Sequence, residues 1–394
     1  MSLKWVEGAT IIHPGRSVAV GSIAFDRTIV SIHEPGATPP AGAEVIDGRG
    51  RTLTPGLVDL HHHGLGHYLY EHSPEDMIEG LKSAAKFGVT TVLPTIYRIL
   101  EPAGLPQLRQ LAEALPRVTG VHVPGFHLEG PFLALPGAGA RTMAGDVKHL
   151  DALIDACQGK VCAMSISPDV PNILPVIKRL VDLKIAPFIT HTCASVEQTE
   201  KAIDAGARHA THFYDVFPVP PEQDAGVRPV GAVEVLLADR RATLDFICDG
   251  VHVHPIAIKA GVAAKGIDGI VAISDSNIGA GLPPGVYDTN WGYPVRVSPE
   301  TAARNADPNH PNFNTLAGSS LTLNVAVKNL HRWLPDLPAH AAWAIASTNP
   351  SRVISIDRGT LCPGAVADVV LWNSDYTPSR TWVGGELVYQ DSSM

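Results

Sequence analysis

This chain of 394 residues is short of charge, of cysteine and of long apolar runs, and each shortage excludes something. Charged residues make up 18%, the formal net charge is −9, and no basic run occurs. A surface of that sign repels phosphate backbones and anionic headgroups, so neither nucleic acid nor a membrane is an expected partner. No apolar run approaches the roughly 20 residues that cross a bilayer. Met1-Ser2-Leu3-Lys4-Trp5 lacks the basic-then-apolar pattern of a secretory signal. The five cysteines (157, 162, 193, 248 and 362) are odd in number and form no Cys-x-x-Cys pair, so reduced thiols are expected, not a disulfide framework. A cytoplasmic protein fits these absences. There is no repeat of fixed period and no low-complexity tract.

Glycine (36), proline (33) and hydrophobic bulk (45%) are plentiful. The length suits one large domain of about 250–300 residues and a smaller one. Residues 1–53 alternate short β-like runs (8–12, 17–25, 28–32, 43–47) with breakers at Pro14-Gly15, Pro35-Gly36 and Asp47-Gly48. Runs 364–372 and 381–389 repeat that style around Gly384-Gly385, a hairpin signal. Residues 1–53 and 355–394 are therefore expected to form one small, discontinuous β-sandwich domain.

Residues 54–354 alternate strand and helix. Apolar strand-like runs occur at 57–63, 89–93, 125–128, 161–166, 186–190, up to 211, 244–248 and 269–274. Amphipathic helical segments separate them. Eight such units predict an α/β fold, a (β/α)8 TIM-type barrel, with its chemistry at the strand C-termini. Residues 321–330 and 339–346 read as further helices. The stretches 215–229 and 279–315 are long, rich in Pro, Gly and Asn, and read as loops shaping a pocket.

The strand ends carry the chemistry. The first ends in His61-His62-His63. Side chains alternate along a strand, so His61 and His63 share a face and can share a metal ion, while His62 points away. Glu129 ends the third strand, within His127-Leu128-Glu129-Gly130-Pro131. His191 ends the fifth, His212 the sixth, and Asp275 the eighth. Asp249-Gly250-Val251-His252 follows the seventh. Gathered at one mouth, so many imidazoles and carboxylates are costly to desolvate unless a cation joins them.

These stretches, with 88–95, Leu316-Ala317-Gly318-Ser319, Asn349-Pro350-Ser351-Arg352 and Gly364-Ala365-Val366-Ala367-Asp368, resemble the amidohydrolase superfamily. Within it they resemble the N-acetylglucosamine-6-phosphate deacetylases. The resemblance implies a divalent metal held by Glu129, His191 and His212, and a second held by His61 and His63, with Glu129 bridging. Zinc is the first choice, one or two ions per subunit, with Fe2+, Co2+ or Mn2+ as alternatives. Asp275 then serves as metal ligand and general base, and His252 polarises the scissile carbonyl. The fourth strand has no Lys, so a carbamylated bridge is not expected. Tyr214, Asp215, Arg228, Leu316, Ala317 and Gly318 fall at substrate-binding positions. A homodimer is also implied. His62, His67, His72 and His209 read as groups behind the ligands or at the surface.

Three departures concern the substrate. Gly137-Ala138-Gly139-Ala140 lacks the family's His. Asp215 stands where the family has Asn, and its charge opposes a phosphate. Residues 307–312 extend a loop. The expected activity is hydrolysis of a small N-acyl substrate, with N-acetylglucosamine 6-phosphate or a related amino sugar first. Another amidohydrolase substrate (an N-acyl amino acid, a cyclic amide, a deaminase substrate) and a non-catalytic metal-binding scaffold are the alternatives.

Overall fold

The computed structural model describes residues 2–13, 19–97, 99–100, 104–136, 141–222, 224–289, 291–298 and 301–392. Eight parallel strands form the central barrel: Leu57–His62, Val89–Ile96, Phe126–Glu129, Val161–Ile166, Ala186–Ile189, His209–Ala210, Thr243–Ile247 and Ile270–Ile273. They pair in chain order. At the closing seam Asp275 N donates to His61 O at 3.0 Å, and Ser274 N donates to Asp59 Oδ1 at 3.2 Å.

The strands form because β-branched and aliphatic residues crowd them and both faces are covered, as in all-parallel sheets. In the first, second, third and eighth every residue is buried. A helix follows each strand, and local chemistry sets its ends. Ser195 and Gln198 form a capping box at the start of Val196–Ala205, and Gly206, at φ +116°, ends that helix. No helix among the described residues is long and apolar enough to cross a membrane. All five cysteines are free thiols.

A second eight-stranded sheet draws on both ends of the chain. Lys4–Ile11 has Glu44–Asp47 parallel along its first half and Thr52–Pro55 along its second. Thr52–Pro55 in turn pairs antiparallel with Val369–Trp372. Val6, Phe25, Leu53, Leu371 and Trp382 meet in one core, so the early and late strands share a hydrophobic interior. Thr54 and Pro55 thus lie in this sheet, just past the boundary at 53/54 that composition suggests. Only Gly56 separates this strand from the first barrel strand, so the chain passes from one sheet to the other without a loop.

Trp372, on the smaller sheet, packs into the hydrophobic core of the barrel. Its indole Nε1 donates to Thr54 Oγ1 at 2.8 Å within its own sheet, and its ring lies 5.1 Å from that of Trp343 on a barrel helix. Gly88, just before the second barrel strand, sits at φ +75°, and a Cβ there would lie 2.1 Å from the Trp372 ring. Gly88→Ala therefore adds left-handed strain to overpacking, and about 2–4 kcal/mol of stability should be lost. Urea unfolding of wild type and variant reads this directly; a loss below ~0.5 kcal/mol would contradict this packing.

The stretch 279–315 is not the irregular loop that its composition suggests. It holds a three-stranded antiparallel sheet, Gly285–Tyr287, Val295–Ser298 and Thr301–Asn305. Val295, Val297 and Ala303 pack there with Ala317. The strands are short and separated by Pro, Gly and Asn, which hides their period-2 pattern.

Candidate active site

The centre of the site is Glu129, at the end of the third barrel strand. Its Oε1 lies 3.2 Å from His212 Nε2, 3.3 Å from His191 Nε2 and 3.6 Å from His61 Nε2. Its Oε2 lies 3.3 Å from His63 Nε2. Asp275 Oδ1 is 3.4 Å from His63 Nε2 and 3.7 Å from His61 Nε2. The Nε2 atoms of His61 and His63 are 3.1 Å apart. His61, His63 and Asp275 form one group able to hold a metal ion, and His61, Glu129 and His212 form another.

The opposite ring nitrogens set the tautomers. Nδ1 of His63 faces Thr95 O at 3.1 Å, and Nδ1 of His191 faces Leu135 O at 3.1 Å. Nδ1 of His212 faces Asp215 O at 3.3 Å. A carbonyl only accepts, so each Nδ1 carries the proton, and Nε2 offers its lone pair once the ring is neutral. His61 Nδ1 meets Thr211 Oγ1 at 3.0 Å. The donor set of imidazole nitrogens and carboxylate oxygens, converging with their outer sides fixed, fits a divalent transition metal.

Three of these side chains sit on left-handed backbone: His191 at φ +49°, His212 at +36° and Asp275 at +46°. Each such turn costs a non-glycine residue on the order of 1 kcal/mol. It ends the strand abruptly and brings the side chain to the Glu129 cluster. Each is anchored. Ser167 Oγ donates to His191 O at 3.0 Å, the Asp245 carboxylate accepts from His212 N, and His61 O accepts from Asp275 N.

Burial raises the pKa of both carboxylates, but the surrounding imidazoles outweigh it. Glu129 is held well below the usual range and Asp275 at about 2. Burial would lower His63 and His212, yet hydrogen bonds and charge from Glu129 and Asp275 push each up to about 10.

A stability prediction follows for the metal-free chain. Protonated His63 and His212 stabilise the fold in full below about pH 6.5, and this is lost as pH rises through about 10. Glu129 and Asp275 stabilise it in full above about pH 4, an effect lost on acidification. The Tm of the metal-free protein should therefore fall between pH 6.5 and 10, while the metal-loaded Tm stays flatter. Calorimetry with and without chelator checks this; parallel curves would contradict it.

His252, after the seventh strand, donates from Nδ1 to Asp249 Oδ2 at 2.6 Å. Burial opposes its charge, but Asp249, with Asp275 and Asp215 adding, raises its pKa above the usual histidine value. Asp215 also acts on His212, so its charge reaches the cluster. Tyr214, at φ +78°, and Arg228 line a small cavity of about 70 Å3 beside it. Arg228 is 67% exposed and bound to Glu234 at 2.6 Å. Leu316 is 40% exposed. Ala317 N donates to Ala303 O at 2.8 Å. Gly318, at φ +76°, packs against Asn277, two residues after Asp275. Gly137-Ala138-Gly139-Ala140 lies outside the described residues.

His62 points away from the cluster, as alternation requires. It bonds the Tyr70 hydroxyl at 2.7 Å, and burial lowers its pKa to about 3. His127 bonds Ser165 Oγ at 2.8 Å and Leu60 O at 3.0 Å, and burial keeps it neutral. His209 is buried against Asp245, His72 is exposed beside Asp76, and His67 touches Tyr287.

Sequence reasoning misses Asp59, Ser167 and Asp245. Asp59 Oδ1 accepts from His61 N at 3.4 Å, and burial raises its pKa to about 7. A carboxylate inside an apolar strand, as in Leu57-Val58-Asp59-Leu60 and Leu244-Asp245-Phe246, is the signal that could have found two of them.

The Amidohydrolase family model matches residues 52–388. The chain is 30% identical to an N-acetylglucosamine-6-phosphate deacetylase of Vibrio furnissii, over 86% of this chain and 83% of that protein. It is 30% identical to an N-acetylgalactosamine-6-phosphate deacetylase of Escherichia coli O157:H7, over 89% and 91%. A solved structure of an N-acetyl-D-glucosamine-6-phosphate deacetylase mutant from Mycobacterium smegmatis, in complex with N-acetyl-D-glucosamine-6-phosphate, matches with a TM-score of 0.84. That match has 26% identity and covers 99% of this chain and 100% of that one.

Proposed function

This chain belongs to the amidohydrolase family, and from that premise we propose that it removes the acetyl group from an N-acetylated hexosamine 6-phosphate with the help of a bound divalent metal. The observation that carries this reading is Glu129, whose two oxygens reach the Nε2 atoms of four histidines beside Asp275. The relatives named above act on N-acetylglucosamine 6-phosphate or N-acetylgalactosamine 6-phosphate, and both are candidate substrates.

His61, His63, Glu129, His191, His212 and Asp275 would hold the metal, with zinc the first choice for such a set. When bound, the cation supplies a Lewis acid that polarises the amide carbonyl and acidifies water. Asp275, ionised at neutral pH, accepts a proton from the attacking water. It returns that proton to the amine nitrogen as the C–N bond breaks, because an unprotonated amide nitrogen leaves poorly. Asp249 fixes the His252 ring through Nδ1 and favours its protonated form. Nε2 of His252 then donates to the oxyanion of the tetrahedral intermediate. The buried walls around the cluster exclude bulk water and strengthen these interactions.

Tyr214, Asp215, Arg228 and the 316–318 segment shape the end of the pocket away from the acetyl group in this reading. The charge balance (−9) and free thiols support a cytoplasmic protein. Exposed Val219, Val227 and Val230, on the segment after the sixth strand, offer apolar surface for a homodimer contact.

The test measures acetate release from N-acetylglucosamine 6-phosphate and N-acetylgalactosamine 6-phosphate beside the two unphosphorylated sugars. Zinc-loaded protein should turn over at least one phosphosugar more efficiently than either free sugar. Preference for the free sugars would overturn the phosphate assignment, and no turnover of any of the four would overturn the deacetylase reading.

A further inference from the structure

We infer that the buried pair His209–Asp245 positions His212, holding its backbone in the left-handed turn that aims Nε2 at Glu129. The inference rests on the reading of His212 as a metal ligand. Asp245 lies in the middle of the seventh barrel strand and is 0% exposed; His209, in the sixth, is 3% exposed. One carboxylate oxygen of Asp245 accepts from His212 N. The other lies 2.8 Å from His209 Nε2, and His209 Nδ1 lies 2.7 Å from Thr243 Oγ1. Asp245 also uses its main chain, with its carbonyl accepting from Phe213 N at 2.9 Å. Residues on both sides of the turn are thereby pinned from the neighbouring strand.

The need for such a device comes from the strand itself. His209–Ala210 is only two residues long, the shortest strand of the barrel. A ladder that short cannot hold a turn at φ +36° two residues further on. Without the carboxylate, His212 N would be a buried donor lacking a partner, and an extended backbone would swing the ring off Glu129. An apolar residue at 245 would suit the strand better if packing were the only demand, because an unpaired buried carboxylate is costly. His209 meets that cost by hydrogen-bonding and orienting the oxygen that does not face His212. The other two left-handed ligands use uncharged anchors, Ser167 Oγ for His191 and His61 O for Asp275.

His209 also lines a cavity of about 580 Å3 among the N-terminal ends of the strands, opposite the cluster. A shortened side chain at 209 would admit water from that side, so the informative variants keep the volume. His209→Phe removes the donor and fills the space. His209→Leu removes it with less bulk and stands in if the Phe variant does not fold. His209→Gln keeps an N–H that can reach Asp245.

The experiment loads metal-free protein with Co2+, records the visible spectrum and obtains affinity by chelator competition. His209→Phe or His209→Leu should weaken Co2+ binding about 10–100-fold and alter the bands. His209→Gln should stay within about threefold of wild type, with its spectrum. If the Phe or Leu variant binds as wild type with an unaltered spectrum, the inference fails. It also fails if Gln is as weak as Leu, because His209 is then only a packing residue. His212→Ala separates the two readings. Wild-type affinity and spectrum in that variant would overturn the ligand assignment itself. Loss there, with none in the donor-less 209 variants, would overturn the positioning alone.

Discussion

Asp275→Asn, compared with wild type at matched metal content, should lower kcat about 10^3-fold or more while leaving KM close to wild type. The argument is local. Asp275 sits at φ +46°, a region that Asn tolerates as readily as Asp, and its N–H bond to His61 O does not involve the side chain. The fold and the closing seam of the barrel therefore survive the change. The carboxylate charge does not, and it lies 3.4 Å from His63 Nε2 and 3.7 Å from His61 Nε2. An amide cannot accept a proton from water at neutral pH, so both proton transfers assigned to Asp275 disappear. General acid–base catalysis contributes about 10^2–10^4 per group, and here one group serves two transfers. Because the loss lies in the chemical step, it should appear equally in kcat and kcat/KM. Single-turnover acetate release at matched metal content reads it. A drop smaller than tenfold would remove Asp275 from the chemistry.

Glu129→Gln should weaken divalent metal binding by about 100-fold or more and move the alkaline edge of the metal-free stability profile to lower pH. Glu129 contacts four of the five other proposed ligands through two oxygens, so no other side chain bears on as many of them. Its charge is among the causes that raise both His63 and His212 to about 10. Gln keeps the shape but loses the charge, and an amide is a poor replacement for a carboxylate ligand. The two histidines should then lose their protons at lower pH. Stability that the wild type sheds toward pH 10 would be shed earlier. Chelator competition measures the first effect and Tm against pH the second. Wild-type metal affinity in the variant would show that Glu129 is not a ligand.

Much of this site was legible because its chemistry is periodic or sits at strand ends. His61 and His63 share a face by simple alternation, and the structure brings their Nε2 atoms to 3.1 Å. His62 turns away for the same reason. The barrel was legible because apolar runs and amphipathic helices alternate at regular spacing. The remainder depends on contacts between distant residues. Nothing in Thr190-His191-Thr192 or Ser274-Asp275-Ser276 announces a left-handed turn, since histidine and aspartate carry no obligatory signal as glycine does. The His209–Asp245 bond depends on the register between the sixth and seventh strands. Arg228 looked available for an anion, but Glu234, six residues on, binds it. Thr52–Pro55 gave no sign of belonging to the smaller sheet, because one of its partners, Val369–Trp372, lies more than 300 residues away.

The most direct test of the account is a metal titration of chelated protein, followed by acetate release from N-acetylglucosamine 6-phosphate or N-acetylgalactosamine 6-phosphate. The account predicts no turnover without metal and a rise to a plateau at one or two equivalents of Zn2+. Asp275→Asn loaded to the same metal content should remain inactive. Full turnover by protein shown by elemental analysis to be metal-free would contradict it, and so would silence on both phosphosugars at full metal occupancy.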